Sequence, residues 1–168
     1  KYVRTFKPLF IIAGPPCTAF SKLSKINRQI NPGEYSRIRL RGECLAELTA
    51  EICQMQADAG RYFMIENPMR SELFDLPCFR KLWNTLPELW YRDFPQCALG
   101  LKTPEGKPLL KWTTIWTNSS QIRDQFEDLK CTCKAHGELI GKTPDGQQRS
   151  KLAQVWPLEM CRRIVEAM

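Results

Sequence analysis

The 168-residue sequence has no apolar run that approaches the roughly 18 residues needed to cross a membrane. Its first residues also lack the long apolar stretch that marks a secretory signal. These two absences predict a soluble protein that does not use a membrane as its partner.

The eight cysteines lack the regular spacing of a disulfide framework, and most lie inside apolar helix or strand patterns. A reduced cysteine in such a pattern behaves as a small hydrophobic residue. We therefore expect an intracellular, reducing compartment, which would be the nucleus if the source is a eukaryote.

Acidic side chains are few relative to basic ones, which gives a formal net charge of +7. A positive balance of this size favours a polyanionic partner, of which nucleic acid is the most common. The sequence also shows no internal repeat and no clear domain boundary, so we expect one domain that covers residues 1–168.

Two short apolar runs, residues 9–13 and 62–65, each end in a rigid turn, and both are typical of buried strands. Between them, apolar residues recur at helical spacing over residues 43–59, and Gly60 follows as a C-terminal cap. The members of this apolar face are Leu45, Leu48, Ile52 and Met55. The pattern predicts a βαβ unit with parallel strands, and hence an α/β fold.

The remainder of the chain predicts shorter elements. Residues 79–86 are predicted to form a helix between two prolines. Residues 90–99 and 112–117 are predicted to be strands joined by a Thr-Pro-Glu-Gly turn of hairpin type. Residues 158–168 are predicted to form a last helix with Pro157 in its first turn. Four tryptophans are predicted to pack in the core and sheet rather than stack on bases. They are Trp83, Trp90, Trp112 and Trp116.

The two rigid turns carry reactive side chains. Cys17 follows Gly14-Pro15-Pro16 at the end of the first strand, and Glu66 begins the turn after the second. Because ligands of open α/β sheets gather at the carboxyl ends of the strands, both side chains should face one crevice. A thiol and a carboxyl group in one crevice indicate a nucleophile with an acid or base beside it.

Residues 21–41 lack a sustained apolar period, so we expect a mobile basic loop that contacts phosphates. Its cations are opposed only by Glu34, and Asn31-Pro32-Gly33 lies in its middle. The predicted phosphate-binding residues are Lys22, Lys25, Arg28, Arg37, Arg39 and Arg41.

The order of strand, Pro-Pro-Cys, Phe-Ser, basic segment, helix, strand and Glu-Asn resembles the DNA cytosine-5 methyltransferase family over residues 9–68. The matching residues are Pro16, Cys17, Phe20, Ser21, Glu66 and Asn67. The segment is also loosely similar to methyltransferase-like segments of retroelement-type polyproteins. The resemblance implies a Rossmann-like, partly parallel sheet with flanking helices.

The resemblance also implies a reaction. Cys17 would add to C6 of a flipped-out cytosine in DNA or RNA, Glu66 would hydrogen-bond N3 and the exocyclic amine, and S-adenosylmethionine would supply the methyl group. Pro15 and Pro16 would lie beside that cofactor. Base and backbone would be positioned by Ser21, Asn67 and Lys111.

The chain departs from the family pattern in several places. Thr18 replaces a glutamine, Pro68 replaces a valine, and a Gln-x-Arg-x-Arg motif is missing, with Lys111 as its substitute. The glycine-rich turn that holds the cofactor does not precede the first strand. Three explanations stay open: the chain is a fragment, a second chain or segment supplies the cofactor site, or the domain no longer methylates.

The same residues bear on two other functions. An inactive methyltransferase-like module would bind nucleic acid or protein and be stabilised by zinc. An amino methyltransferase is disfavoured, because Gly14-Pro15-Pro16-Cys17 has neither end of the required Asp/Asn/Ser-Pro-Pro-aromatic motif. The zinc hypothesis depends on Cys131-x-Cys133-x-x-His136, which resembles half of a site and needs Cys97 or Cys78 as the fourth ligand. Otherwise these cysteines are free and the histidine is a polar loop residue.

Overall fold

The computed structural model describes residues 1–21 and 28–168, so Lys22 and Lys25 of the predicted basic loop lie outside the described residues. The chain divides into two compact units. The first unit comprises Lys1–Tyr91 and Thr114–Ser120, and the second comprises Arg92–Thr113 and Gln121–Met168.

The α/β class is confirmed by the elements along the chain. Helices are α1 (Tyr2–Phe6), α2 (Pro32–Asp58), α3 (Pro77–Thr85), α4 (Ser120–Phe126), α5 (Arg149–Leu152) and α6 (Leu158–Glu166). Strands are β1 (Phe10–Ala13), β2 (Tyr62–Pro68), β3 (Trp90–Pro95) and β4 (Trp112–Thr117). Short 3₁₀ turns cover Cys17–Ala19, Glu72–Asp75 and Gln96–Leu99.

The four strands form one sheet in the order β1-β2-β4-β3. Strands β1 and β2 are parallel, with a register that runs from Phe10 opposite Tyr62 to Ala13 opposite Ile65. The predicted βαβ unit is therefore confirmed. Strand β1 is less buried than expected, since Ile12 is 43% exposed, and β2 extends through the predicted Glu66-Asn67-Pro68 turn.

Helix α2 is much longer than predicted and begins at Pro32, so the expectation of a mobile loop over residues 32–41 is wrong. The Asn31 side chain accepts a hydrogen bond from the Glu34 backbone N–H at 3.2 Å and caps the helix. Proline suits the first helical position, because its missing N–H would have no partner there. Asn31-Pro32-Gly33 therefore starts a helix rather than interrupting a loop.

The buried face of α2 also differs from the prediction. Leu45 and Leu48 are exposed, and the buried residues are instead Gly42, Ala46, Ala50, Cys53 and Gln56. Small side chains let the helix approach the chain beneath it closely. A Cβ added to Gly42 would lie 2.7 Å from the Cβ of Ala19, which is too near for ordinary packing.

Aromatic side chains pack together in the core of the first unit. Trp116 is buried there and stacks on Phe74 with ring centroids 4.6 Å apart, which agrees with its predicted packing role. Trp83 packs against Trp116 at 5.2 Å although it is 39% exposed. Trp112 lies in strand β4 of the sheet and is 41% exposed, so it is part of the sheet but not of the core.

The second unit has a smaller interior. Phe94 and Phe126 pack with centroids 5.1 Å apart, and Met160 and Ile164 on α6 are buried. Pro157 is the cap residue before α6 rather than part of its first turn. None of the helices among the described residues combines the length and hydropathy that a membrane crossing requires.

Candidate functional site

The two strand-end motifs lie side by side in the first unit. Beyond the last paired residues, Ala13 and Ile65, the Asn67 side-chain amide donates a hydrogen bond to the Pro15 carbonyl at 2.8 Å. Asn67 is only 1% exposed, so this bond is shielded from water. The turn after β1 and the end of β2 are therefore joined at the same edge of the sheet.

Cys17 begins a short 3₁₀ turn directly after these prolines. The Phe20 N–H donates to the Cys17 carbonyl at 2.9 Å, and the fully buried Phe20 ring anchors the turn in the core. Cys17 itself is half-buried. The thiol thus sits on a fixed backbone and retains partial access to solvent.

Glu66 lies near the end of β2 and is 7% exposed. Continuing the β1–β2 register by one residue places Glu66 opposite Gly14. Gly14 is exposed, and a Cβ added to it would meet no atom within 4 Å, so this position is open to solvent. The βαβ unit therefore carries a thiol-bearing turn after one strand and a shielded carboxyl group near the end of the other.

Arg39 fastens the Cys17 turn to α2 and to the segment after β2. Its guanidinium donates to the Ala19 carbonyl at 3.2 Å, to Glu72 at 3.0 Å and to Glu43 at 2.7 Å. It also lies 4.9 Å from the centre of the Phe20 ring. Arg39 was predicted to bind phosphate. Its guanidinium instead donates hydrogen bonds to protein acceptors, a structural role that the residue type alone did not indicate.

The other predicted phosphate ligands in the described residues are exposed. Arg37 pairs with Glu34 through two bonds of 2.7 and 2.8 Å, and this hydrogen bonding lowers the pKa of Glu34. Arg28 and Arg41 are also exposed. Ser21 is half-buried at the end of the Cys17 turn.

An open polar cavity of about 570 Å³ adjoins the start of α2. Its lining consists of Arg28, Pro32, Tyr35, Ser36, Arg39 and Glu72. Two of these residues, Arg39 and Glu72, form the ion pair that holds the Cys17 turn. The cavity therefore borders that network.

Lys111 belongs to the second unit. It is half-buried, and its backbone carbonyl accepts a hydrogen bond from the Gln96 N–H at 2.8 Å. This bond connects the residue before β4 to the 3₁₀ turn after β3.

The second unit brings together the predicted metal ligands Cys97, Cys131, Cys133 and His136, whose ligand atoms all lie within 4.8 Å of one another. The Cys97 sulfur is 3.6 Å from the Cys131 sulfur and 3.6 Å from His136 Nε2, and the Cys131 sulfur is 3.2 Å from His136 Nε2. Metal bonds of about 2.0–2.3 Å in a tetrahedron give ligand separations of about 3.3–3.8 Å. The cluster is thus close to the size that a tetrahedral ion requires.

Two thiols of the cluster have shifted pKa values. Burial, together with the neighbouring Cys131 and Cys133, raises the pKa of the Cys97 thiol to about 12. A backbone hydrogen bond from Cys133 lowers the pKa of Cys131. Several thiolates cannot share this space without positive charge between them.

The sequence left Cys97 and Cys78 as alternatives for the fourth ligand of the cluster. Cys97 completes the cluster from the 3₁₀ turn after β3. Cys78 instead lies on α3 in the first unit. The described residues thus carry two candidate sites, with the thiol and carboxyl group in one unit and the metal ligands in the other.

In comparisons with known proteins, no family model, curated protein or solved structure matches this sequence.

Proposed function

We propose that the protein is a DNA cytosine-5 methyltransferase-like domain in which Cys17 is the nucleophile and Glu66 the assisting acid. The observation that supports this most is the 2.8 Å bond from the Asn67 amide to the Pro15 carbonyl. It joins the turn that carries Cys17 to the strand end that carries Glu66. We include in this proposal that the sheet is part of a Rossmann-like methyltransferase fold.

The proposed chemistry begins with a covalent bond. The Cys17 thiolate adds to C6 of cytosine, and the electrons of the C5–C6 double bond move to C5. Glu66 hydrogen-bonds N3 and the exocyclic amine and stabilises the charge that builds on the ring. S-adenosylmethionine, held beside Pro15 and Pro16, would supply the methyl group to C5 and leave as S-adenosylhomocysteine. Loss of the C5 proton to solvent and cleavage of the Cys17–C6 bond would then restore the C5–C6 double bond and return the thiolate.

The target base is hidden inside a duplex and has to be flipped out before Cys17 can reach it. Exposed cations near the Cys17 turn suit contacts to the nucleic-acid backbone. We assign this role to Arg28, Arg37 and Arg41, together with Lys22 and Lys25. Ser21 and Asn67 are proposed to position the base or the backbone, and Lys111, in the second unit, is proposed to contact the nucleic-acid backbone.

Covalent trapping tests the enzymatic proposal. The intact protein, incubated with S-adenosylmethionine and a duplex that contains 5-fluorocytosine, should form a stable protein–DNA adduct. Cys17→Ser should abolish the adduct, and Cys44→Ser, which alters an exposed cysteine on α2, should leave it intact. No adduct from a protein that binds the cofactor would contradict the proposal.

A second candidate function is an inactive methyltransferase-like module that binds nucleic acid or protein. The metal-ligand cluster in the second unit favours this alternative, because such clusters commonly stabilise binding domains. In that case DNA affinity should persist in Cys17→Ala and should fall with rising salt. Retained affinity together with failed trapping would select this function.

We propose zinc as the ion for the cluster in either case. Three cysteine sulfurs and one histidine nitrogen form a soft donor set, and four protein ligands fill a tetrahedral ion with no open position. One zinc per chain should be found by metal analysis of the purified protein. Cys97→Ser should lose the ion, while Cys78→Ser should keep it.

A further inference from the structure

The second unit contains a repeated turn that the sequence reading missed. Residues 102–106 are Lys-Thr-Pro-Glu-Gly, and residues 142–146 are Lys-Thr-Pro-Asp-Gly. Each copy closes a small antiparallel bridge, between Lys102 and Pro108 in the first and between Lys142 and Gln148 in the second. The expectation of no internal repeat was therefore wrong.

The two copies fold through the same hydrogen bonds. In the first turn the Thr103 N–H donates to the Lys107 carbonyl at 2.8 Å, and in the second the Thr143 N–H donates to the Gln147 carbonyl at 2.9 Å. The glycines, Gly106 and Gly146, have φ of 83° and 84°. Glycine adopts this left-handed conformation without strain, so both turns depend on it in the same way.

The two turns are connected to each other. Arg149, just after the second turn, donates to both carboxylate oxygens of Glu105 in the first, at 2.8 and 3.1 Å. The Gly137 N–H donates to the Pro108 carbonyl at 2.8 Å. A Cβ at Gly137 would lie 2.4 Å from Thr103 Cγ2, so the Gly137 backbone packs directly against the Thr103 side chain.

Little apolar burial supports this pair of turns. Its buried cluster consists of Leu101, Leu109 and Ala153, with Leu139 packed against them. Such a small core offsets only part of the conformational entropy lost when the segments become ordered. Another source of stability is needed.

The metal ligands are placed to supply that stability. Cys97 precedes the first turn, and Cys131, Cys133 and His136 precede the second. An ion bound by all four therefore crosslinks the two turn-bearing segments at their beginnings. The crosslink joins Cys97 to Cys131 and closes a loop of more than thirty residues. Closing a longer loop removes more conformational entropy from the unfolded chain.

We infer that the ion is structural and that residues 131–153 fold against residues 97–113 only when it is bound. This inference rests on the proposed zinc site. The paired turns and the ion form one cooperative unit, in which the Arg149–Glu105 bridge is made after the ion has fixed the two segments.

Hydrogen exchange of the full chain tests this inference. Removal of the ion with a chelator should speed exchange of the Thr143, Gly146 and Gln147 amides by more than about tenfold, since their bonds open when the segment is released. The Phe63 amide in the first unit, which donates to the Asn118 side chain at 2.9 Å, should change little. Added Zn²⁺ should restore protection, and Mg²⁺ should not, because it prefers oxygen ligands.

Two variants separate the possible failures. Cys133→Ser should raise exchange in the second turn as chelation does, and Cys161→Ser, outside the cluster, should not. A purified chain that binds no zinc would overturn the zinc proposal and the inference with it. A chain that binds zinc, but whose Thr143 and Gly146 amides stay protected after chelation, would overturn the inference alone.

Discussion

Arg39 contacts three protein acceptors and one aromatic ring. It links the carbonyl of Ala19, on the turn that carries Cys17, to the carboxylates of Glu43 and Glu72. Its side chain is 22% exposed, so water screens these bonds only in part. Arg39 therefore helps to fix the backbone on which the proposed nucleophile sits.

Replacing Arg39 should destabilise the protein markedly. Arg39→Ala removes the guanidinium that donates to Glu43, Glu72 and the Ala19 carbonyl, and we expect a loss of about 1–3 kcal/mol in the free energy of unfolding. Arg39→Lys should recover only part of the lost stability, because an ammonium group cannot reproduce the planar set of N–H donors of a guanidinium. Urea unfolding measures both.

Arg37→Ala is the matched control for Arg39. This exposed arginine on the same helix pairs only with Glu34 in the described residues, and exposed pairs contribute about 0–1 kcal/mol. Equal losses for the two alanine variants would show that the Arg39 network does not hold the turn.

Gly42 tests how closely α2 approaches the Cys17 turn. Alanine normally favours a helix over glycine by about 1 kcal/mol, yet at position 42 its Cβ would lie 2.7 Å from that of Ala19. Gly42→Ala should therefore lower the melting temperature. Gly33→Ala, whose added Cβ has no neighbour nearer than 4.0 Å, should raise it or leave it unchanged. If both variants are stabilised, the close approach is absent.

The Glu105–Arg149 bridge predicts a specific pH dependence. Hydrogen bonds from Arg149 lower the pKa of Glu105 to about 2 from an ordinary value of 4.5. Since the folded-state pKa is the lower one, the bridge contributes fully above pH 4.5 and is lost as pH falls towards 2. NMR titration should find this pKa, and Arg149→Gln should return it towards 4.5. An unshifted Glu105 in the zinc-loaded protein would contradict the bridge.

At the scale of elements, the β1–α2–β2 unit was predictable because short apolar runs, helical spacing and rigid turns are local features. The start of α2 was harder to predict, since residues such as those in Asn31-Pro32-Gly33 are common both in loops and at helix starts. Its buried face was predicted wrongly because large apolar residues were preferred. Close packing against Ala19 and Phe20 selects Gly42 and alanines instead.

The metal cluster shows the same division between local and long-range information. The spacing of Cys131, Cys133 and His136 was enough to predict three ligands. The fourth is remote in sequence, so only the fold distinguishes Cys97 from Cys78. The repeated Lys-Thr-Pro-acid-Gly turn was visible in the sequence and could have been found by comparing the chain with itself.

The Asn67–Pro15 bond is the link between β2 and the Cys17 turn, and its loss should loosen that turn. Asn67→Ala removes the donor and leaves a buried carbonyl that had accepted it, a cost of about 1–3 kcal/mol. Alkylation of Cys17 should become faster, measured against the exposed Cys44 as an internal reference. Unchanged alkylation and stability would mean that Asn67 does not restrain the turn.

At the scale of the whole molecule, the two units carry different candidate sites. The first unit contains the proposed nucleophile, and the second contains the proposed zinc ligands and paired turns. The net charge of +7 is consistent with a polyanionic partner for the whole chain. We therefore propose a covalent step in one unit and metal-dependent folding in the other.

We propose that Cys17 and Glu66 act on one pyrimidine ring. Addition of Cys17 to C6 makes C5 carbanion-like, so a proton from water can enter there and the original C5 hydrogen can leave when the adduct breaks down. Release of tritium from DNA labelled at cytosine C5 measures this step without methyl transfer. We expect release by the intact protein, none by Cys17→Ser and much less by Glu66→Gln. Absence of release, or undiminished release by Cys17→Ser, would contradict the claim.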